Sequence, residues 1–314
     1  MKAVVCKKYG PPSVLELNEL PKPMPKDNEV IIKNFASAVT GSDVLIRSAN
    51  FPLIIGLMFR VVIGFTGPRK PILGLVFAGE IESVGKNVKR FKKGDQVYGF
   101  NGSSFGAYAG YLCISEKESK ESCFVIKPDN MSYEEAAAVA YGGVLAPYYL
   151  EKGKIQKRQK VLIYGASGAF GTTSVQLAKN LGAEVTGVCS TRNVELVKSI
   201  GADKVIDYKK EDFAGSEERY DFILDAVPHG KIEKKSLKTQ CKKLLSPNGK
   251  YASINEGSPK VKAEYLNQLN TLFEQGNFKA VIDRKYPIEQ IVEAHKYVDT
   301  GRKKGNVVIT MEHP

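Results

Sequence analysis

A glycine-rich stretch of seven residues, Gly165-Ala-Ser-Gly-Ala-Phe-Gly171, carries the clearest chemical signal in the chain. An apolar run at 160–164 precedes them, and a stretch at 172–181 follows that puts Val175, Ala178 and Leu181 on one helical face. A glycine turn between strand and helix lets backbone approach a pyrophosphate. The helix behind it points free N–H groups and the positive end of its dipole at that charge. The spacing predicts a dinucleotide site at this turn. The next strand, 183–189, ends in Ser190-Thr191-Arg192-Asn193. A site for NAD usually carries a carboxylate there for the ribose 2′-OH. Hydroxyls and a guanidinium suit a 2′-phosphate instead, so the expected cofactor is NADPH.

The elements that must hold this turn follow from the hydrophobic pattern. Strand patterns at 160–164, 184–189, 204–207, 222–226 and 249–254 alternate with helical ones at 172–181, 192–200 and 231–245. Such alternation implies a doubly wound parallel sheet. The first 120 residues read as β-rich and irregular, with strands at 2–7, 29–35, 73–85, 96–100 and 108–114. Ser132 and Glu135 form a capping box that opens an Ala-rich helix at 133–140. The tail reads as a helix at 261–274, a short strand at 281–283, a helix at 287–298 and a strand at 306–311. This is no further βαβ repeat, so the tail is expected to return to the N-terminal domain. The ligand crevice would then lie between the two domains.

Composition narrows the class. A chain of 314 residues, 43% hydrophobic, has room for two cores. Five cysteines are scattered and form no C-x-x-C, which suits a reduced, cytoplasmic protein without structural zinc. The first eight residues lack the apolar stretch of a cleavable leader. Segment 51–65 is the most apolar, and it is too short to span a bilayer. It reads first as a helix covering the crevice, with a lid over a hydrophobic acceptor or a patch touching membrane as alternatives. The net charge is +12, but only nine of the 46 basic residues are Arg and the lysines are dispersed. That describes a lysine-rich surface better than a nucleic-acid interface.

Several stretches in order resemble the zinc-independent, quinone-oxidoreductase branch of the medium-chain dehydrogenases/reductases. They are 71–85, 91–99, 106–109, 160–171, 201–208 and 305–309. The resemblance implies an α/β protein in two parts. A GroES-like β-barrel catalytic domain would take 1–124, completed by 277–314, and a Rossmann NADPH-binding domain 125–276. It also implies a homodimer that reduces quinones or conjugated enones. Carried over residue by residue, it places Ser167, Gly168, Ala169, Phe170 and Gly171 along the pyrophosphate. Ser190, Thr191 and Arg192 fall at the 2′-phosphate and Tyr208 near the adenosine. Ala226 and Val227 fall on the adenine–ribose side, and Asn255 and Asn306 near the nicotinamide.

The resemblance also shows where this chain departs from related patterns. The alcohol-dehydrogenase branch has zinc ligands where this chain has Thr40, Leu75 and Val76, which offer no thiolate or imidazole. His229 and His295 read as surface or cap residues, and His313 lies in the tail. Quinone reductases have Asn in place of Thr40, Tyr in place of Leu45 and Thr in place of Leu145. Thr40 is the one catalytic candidate, through its hydroxyl, and Asp43 is expected to cap the helix after it. An NADPH-dependent RNA-binding or regulatory protein with little catalysis is the alternative function. A zinc alcohol dehydrogenase is the third.

Overall fold

The computed structural model describes residues 1–51, 53–228, 234–257 and 259–313, and of 53–55, 214 and 234–237 the backbone alone. Strand β1 (Lys2–Cys6) pairs antiparallel with β2 (Leu15–Glu19). Then come β3 (Glu29–Ala38), helices α1 (Gly41–Ser48) and α2 (Leu53–Ile63), and strands β4 (Val76–Val84), β5 (Gln96–Phe100), β6 (Tyr111–Ser115) and β7 (Cys123–Ile126). Antiparallel pairing links β3 to β4 and β6, β4 to β5, and β5 to β7. Val30, Ile32, Phe77, Ile81, Val97 and Phe124 close a core between the faces of this sheet.

Helix α3 (Tyr133–Gly153) leads into the second sheet. There β8 (Lys160–Tyr164), α4 (Ala169–Asn180), β9 (Glu184–Cys189), α5 (Val194–Ser199), β10 (Lys204–Asp207), β11 (Tyr220–Asp225), α6 (Lys234–Lys243) and β12 (Leu245–Ser253) alternate. The strands run parallel in the order β10-β9-β8-β11-β12. Val161 and Ile163 feed one core cluster, Leu162 and Tyr164 another. Burial on both faces explains why these strands read as unbroken apolar runs. The order reverses between β8 and β11, and the region beyond the carboxyl ends of these strands is where such sheets bind ligands.

The last elements are α7 (Ala263–Glu274), β13 (Ile282–Pro287), α8 (Ile291–Asp299) and β14 (Asn306–Thr310). β14 pairs antiparallel with β3 and parallel with β13, so the tail does return to the first sheet.

Three expectations need correction. The Ala-rich helix runs to 153, not 140, passing through Gly142, Gly143 and Pro147. A Cβ on Gly142 would fall on the Thr173 hydroxyl, so the glycine admits α4 at close range instead of ending the helix. The helix after the glycine turn starts at Ala169, three residues early, because the turn itself supplies its first turn. His295 is neither a surface nor a cap residue but fully buried. It shares the inner stripe of α8 with Ile291, Ala294 and Val298, a helical repeat that forces it inward. His229 and the start of the helix expected at 231–245 lie outside the described residues.

Candidate cofactor crevice

The glycine turn is built by close approach. Gly165 has φ +83°, and its N–H and that of Ala166 both donate to the Val188 carbonyl on β9. A Cβ on Gly171 would fall on the Gly165 carbonyl oxygen. Gly168 is the N-cap of α4, and no side chain caps that end. The first intrahelical bond is Thr172 N–H to Gly168 O at 2.8 Å. This leaves the N–H groups of Ala169, Phe170 and Gly171 without helical acceptors, as at any helix start. A Cβ on Gly168 would meet nothing nearer than the Gly165 carbonyl at 3.7 Å. The backbone is therefore open to a phosphate at the point where the helix dipole favours one.

Four other segments converge on this turn. The Gly305 N–H donates to the Ser167 carbonyl at 2.8 Å, which brings Asn306 to the turn. Asn306 is buried, and its Nδ2 donates to the Val281 carbonyl. The Asn193 Nδ2 donates to Ser167 Oγ at 2.9 Å, tying the loop after β9 to the turn. Val227 packs against Gly165, where a Cβ would lie 2.8 Å from its Cγ2. The Asn255 Nδ2 donates to the Val227 carbonyl at 2.7 Å. Ala226 continues β11, its N–H donating to Tyr164 O.

At the far end of the crevice, Ser190 is half-buried while Thr191 and Arg192 are exposed. Arg192 Nη2 donates to the Arg302 carbonyl at 3.0 Å, which holds the guanidinium over the loop before β14. Asp207, at the end of β10, is held below the usual carboxylate range, first by the Thr191 hydroxyl. That carboxylate beside Thr191 was not expected from the loop sequence. Tyr208 is 44% exposed and lines an open cavity of about 430 Å³ with Tyr164, Phe213, Lys209, Lys210, Glu211 and Asp212.

Thr40 caps α1 by a reciprocal box. Its Oγ1 accepts from the Asp43 N–H at 3.2 Å and donates to Asp43 Oδ2 at 2.6 Å. Asp43 is the capping partner expected of it, and Thr40's single proton is already engaged. Burial pushes the Asp43 carboxyl up to about 6, against the lowering effect of Thr40. Sequence reasoning missed a second hydroxyl pair, Ser42 Oγ and Tyr141 Oη, 2.8 Å apart. Burial raises the Tyr141 phenol, so it stays protonated. Nothing in the spacing signals this pair, because α1 and α3 meet 99 residues apart. A Cβ on Gly41 would lie 3.8 Å from Pro228, next to Val227, so the first turn of α1 lies beside the loop that follows β11.

Leu145 is buried on α3, and Leu45 is half-buried on α1. The residues at the alcohol-dehydrogenase zinc positions, Thr40, Leu75 and Val76, are all buried. A hydroxyl and two aliphatic side chains are not a donor set for zinc.

Comparison with known proteins agrees with this architecture. The model described as alcohol dehydrogenase GroES-like domain matches residues 26–150. The model described as zinc-binding dehydrogenase matches 200–264 and 256–309. The chain is 32% identical to the 2-methylene-furan-3-one reductase of Solanum lycopersicum, over all of its own length and 79% of the relative's. It is 30% identical to the chloroplast envelope quinone oxidoreductase homolog of Arabidopsis thaliana, over 98% of both. The quinone oxidoreductase of Coxiella burnetii has the same fold, with a TM-score of 0.81 at 25% identity and 99% of each chain covered.

Proposed function

Because the chain belongs to the medium-chain dehydrogenase/reductase family, in its quinone-oxidoreductase-like branch, we propose that it is an NADPH-dependent reductase of quinones or α,β-unsaturated carbonyls. One observation carries this reading. An uncapped helix start follows a glycine turn that Val227 and Gly305 contact, and the first turn of α1 lies beside the loop that follows β11.

When bound, the nicotinamide supplies hydride, and the chain's task is to place and sort. The N–H groups of Ala169, Phe170 and Gly171 hold the diphosphate, with Ser167 and Gly168 shaping its approach. Arg192, fixed by the Arg302 carbonyl, pairs with the 2′-phosphate, and Ser190 hydrogen-bonds it. Thr191, beside the Asp207 carboxylate, contributes less there. Tyr208, Ala226 and Val227 flank the adenosine, and Asn255 and Asn306 border the nicotinamide. A conjugated acceptor takes hydride without a Lewis acid, because the resulting anion is delocalised. Since the Thr40, Leu75 and Val76 set does not fit zinc, no step runs through a metal. Thr40 cannot give up a proton while Asp43 holds it. The Ser42–Tyr141 pair is the better hydroxyl to face the product oxygen, with water as the other donor.

The same reading takes in a cytoplasmic setting, supported by five free cysteines, four of them buried. It also takes in a homodimer, which the family resemblance supports. The division into 1–124 with 277–314, and 125–276, is supported by the pairing of β14 with β3.

Anaerobic NADPH oxidation by chelator-treated protein is the test, with an ortho-quinone, a para-quinone and an alkyl enone as acceptors and NADH as the matched control. Turnover with at least one acceptor, and much slower turnover with NADH, is the expected result. Tight NADPH binding without turnover on any of them would overturn the reading.

A further inference from the structure

The reading of 51–65 as a cover over the crevice expects the apolar face of this helix to turn inward, but α2 leaves one apolar face exposed. Leu57, Met58, Val61 and Val62 lie on one side of this helix, and Phe65 continues the stripe just past its end. They are 61%, 67%, 52%, 67% and 58% exposed. The helix is held by its other side. Phe59 packs on Tyr9 and Phe51, with ring centroids 5.8 and 4.5 Å away, and Ile63 packs on the main core. The fold therefore does not need the outer stripe to be apolar. Exposed large apolar residues elsewhere among the described residues stand singly on separate elements. A contiguous apolar patch marks a contact surface.

Its rim carries one sign of charge. From 44 to 79 the sequence has no Asp or Glu, and apart from Arg47, which is buried against Asp299, its charged residues are Arg60, Arg69 and Lys70. Arg69 Nη1 donates to the Val62 carbonyl at 3.2 Å, and Arg60 Nη1 to the Phe65 carbonyl, so both guanidiniums sit at the edge of the stripe. Exposed Lys8 lies alongside, where a Cβ on Gly67 would come 3.0 Å from its Cα. Among the described residues, no carboxylate lies within 4.0 Å of Arg60, Arg69, Lys70 or Lys8.

We propose that this face binds an anionic lipid surface, with the apolar stripe entering the headgroup layer and the basic rim meeting lipid phosphates. A second copy of the chain would bring an identical basic rim against this one, and the two would repel. No helix among the described residues is long and apolar enough to cross a membrane, so α2 would lie in the interface plane. The proposal stands independently of the reductase reading. If both hold, lipid-soluble acceptors lie within reach of the enzyme.

Co-sedimentation of the intact protein with phosphatidylcholine vesicles, with and without phosphatidylglycerol, tests it. Binding should need phosphatidylglycerol and fall as salt rises. Val61→Asp should weaken it about tenfold, and Arg69→Gln about fivefold. The chain has no tryptophan, so Val62→Trp places a single reporter on the face. Its emission should shift to the blue on anionic vesicles only. Both valines are exposed, so folding should survive, and turnover of a water-soluble quinone should stay unchanged. No phosphatidylglycerol-dependent binding at low salt, or binding indifferent to Val61→Asp, overturns the proposal. A dimer that Val61→Asp dissociates, with no vesicle binding, overturns it too and gives the face to a second copy.

Discussion

Gly168 and Gly171 stand three residues apart and differ in what a side chain would meet. At Gly171 a Cβ would fall on the Gly165 carbonyl, so substitution damages the turn itself. At Gly168 the backbone is extended, φ −82° and ψ 172°, and the space is open. Gly168→Val should leave the thermal midpoint close to wild type. It should weaken NADPH about 100-fold in calorimetric titration, because it puts two methyl groups where phosphate would approach the helix start. Unchanged affinity would show that the cofactor does not use this turn. Arg192 tests the cofactor's other end. Arg192→Glu should weaken NADPH about 50-fold and leave NADH almost unaffected, since only the former carries the 2′-phosphate. Equal effects on both would assign Arg192 to the surface. The sequence made these residues readable because glycine, hydroxyl and guanidinium each have few uses at such places. Asn193 carries no such signature in its loop. Its bond to Ser167 depends on two strand ends lying side by side, 26 residues apart, and no local pattern encodes that.

Among the elements, α3 shows how local signals and packing divide the work. Its start was readable, because Ser132 and Glu135 cap each other within one turn. Its end was not, because Gly142, Gly143 and Pro147 all read as breaks. The helix continues since it is buried on nearly every side, between the first sheet and α4 and α7. Gly142 faces Thr173 and Gly143 faces Leu266 and Leu269. Helix propensity alone favours Gly142→Ala by about 1 kcal/mol. Overpacking against Thr173 opposes it by about 1 to 3 kcal/mol, and overlap with both the hydroxyl and the Cβ of this buried side chain puts it at the upper end. Gly142→Ala should therefore lower the urea unfolding midpoint, and adding Thr173→Ala should recover part of the loss. A stabilised single variant would mean that α3 and α4 separate at little cost. The inner stripe of α8 was readable in principle from Ile291, Ala294 and Val298. A histidine within that repeat invited a polar reading that burial overrules.

At the scale of the molecule, the two ends of the chain meet over a buried polar cluster. Arg47 of α1, 2% exposed, donates two 2.9 Å bonds to Asp299 at the end of α8. Tyr108 lies edge-on to His295, 5.7 Å between ring centroids, with Asp43 close by. Two buried groups there oppose each other in pH. Burial, with the Arg47 charge adding to it, pushes His295 from 6.5 down to about 3. Below pH 6.5 the unfolded chain binds a proton that the folded one refuses, so this group costs stability as pH falls. Asp43 is pushed up from 3.8 to about 6, so its contribution is complete below 3.8 and lost as pH rises through about 6. Between pH 7 and 5 the histidine costs about 2 kcal/mol and the aspartate restores about 1. Each variant should unmask the other group. Relative to wild type, Asp43→Asn should lose about 1 kcal/mol more on going from pH 7 to 5. His295→Phe should lose about 2 kcal/mol less, both read from urea midpoints at the two pH values. Variant curves parallel to wild type would mean that neither group keeps its shifted state, and that the contact between the chain's ends opens to water before the rest unfolds.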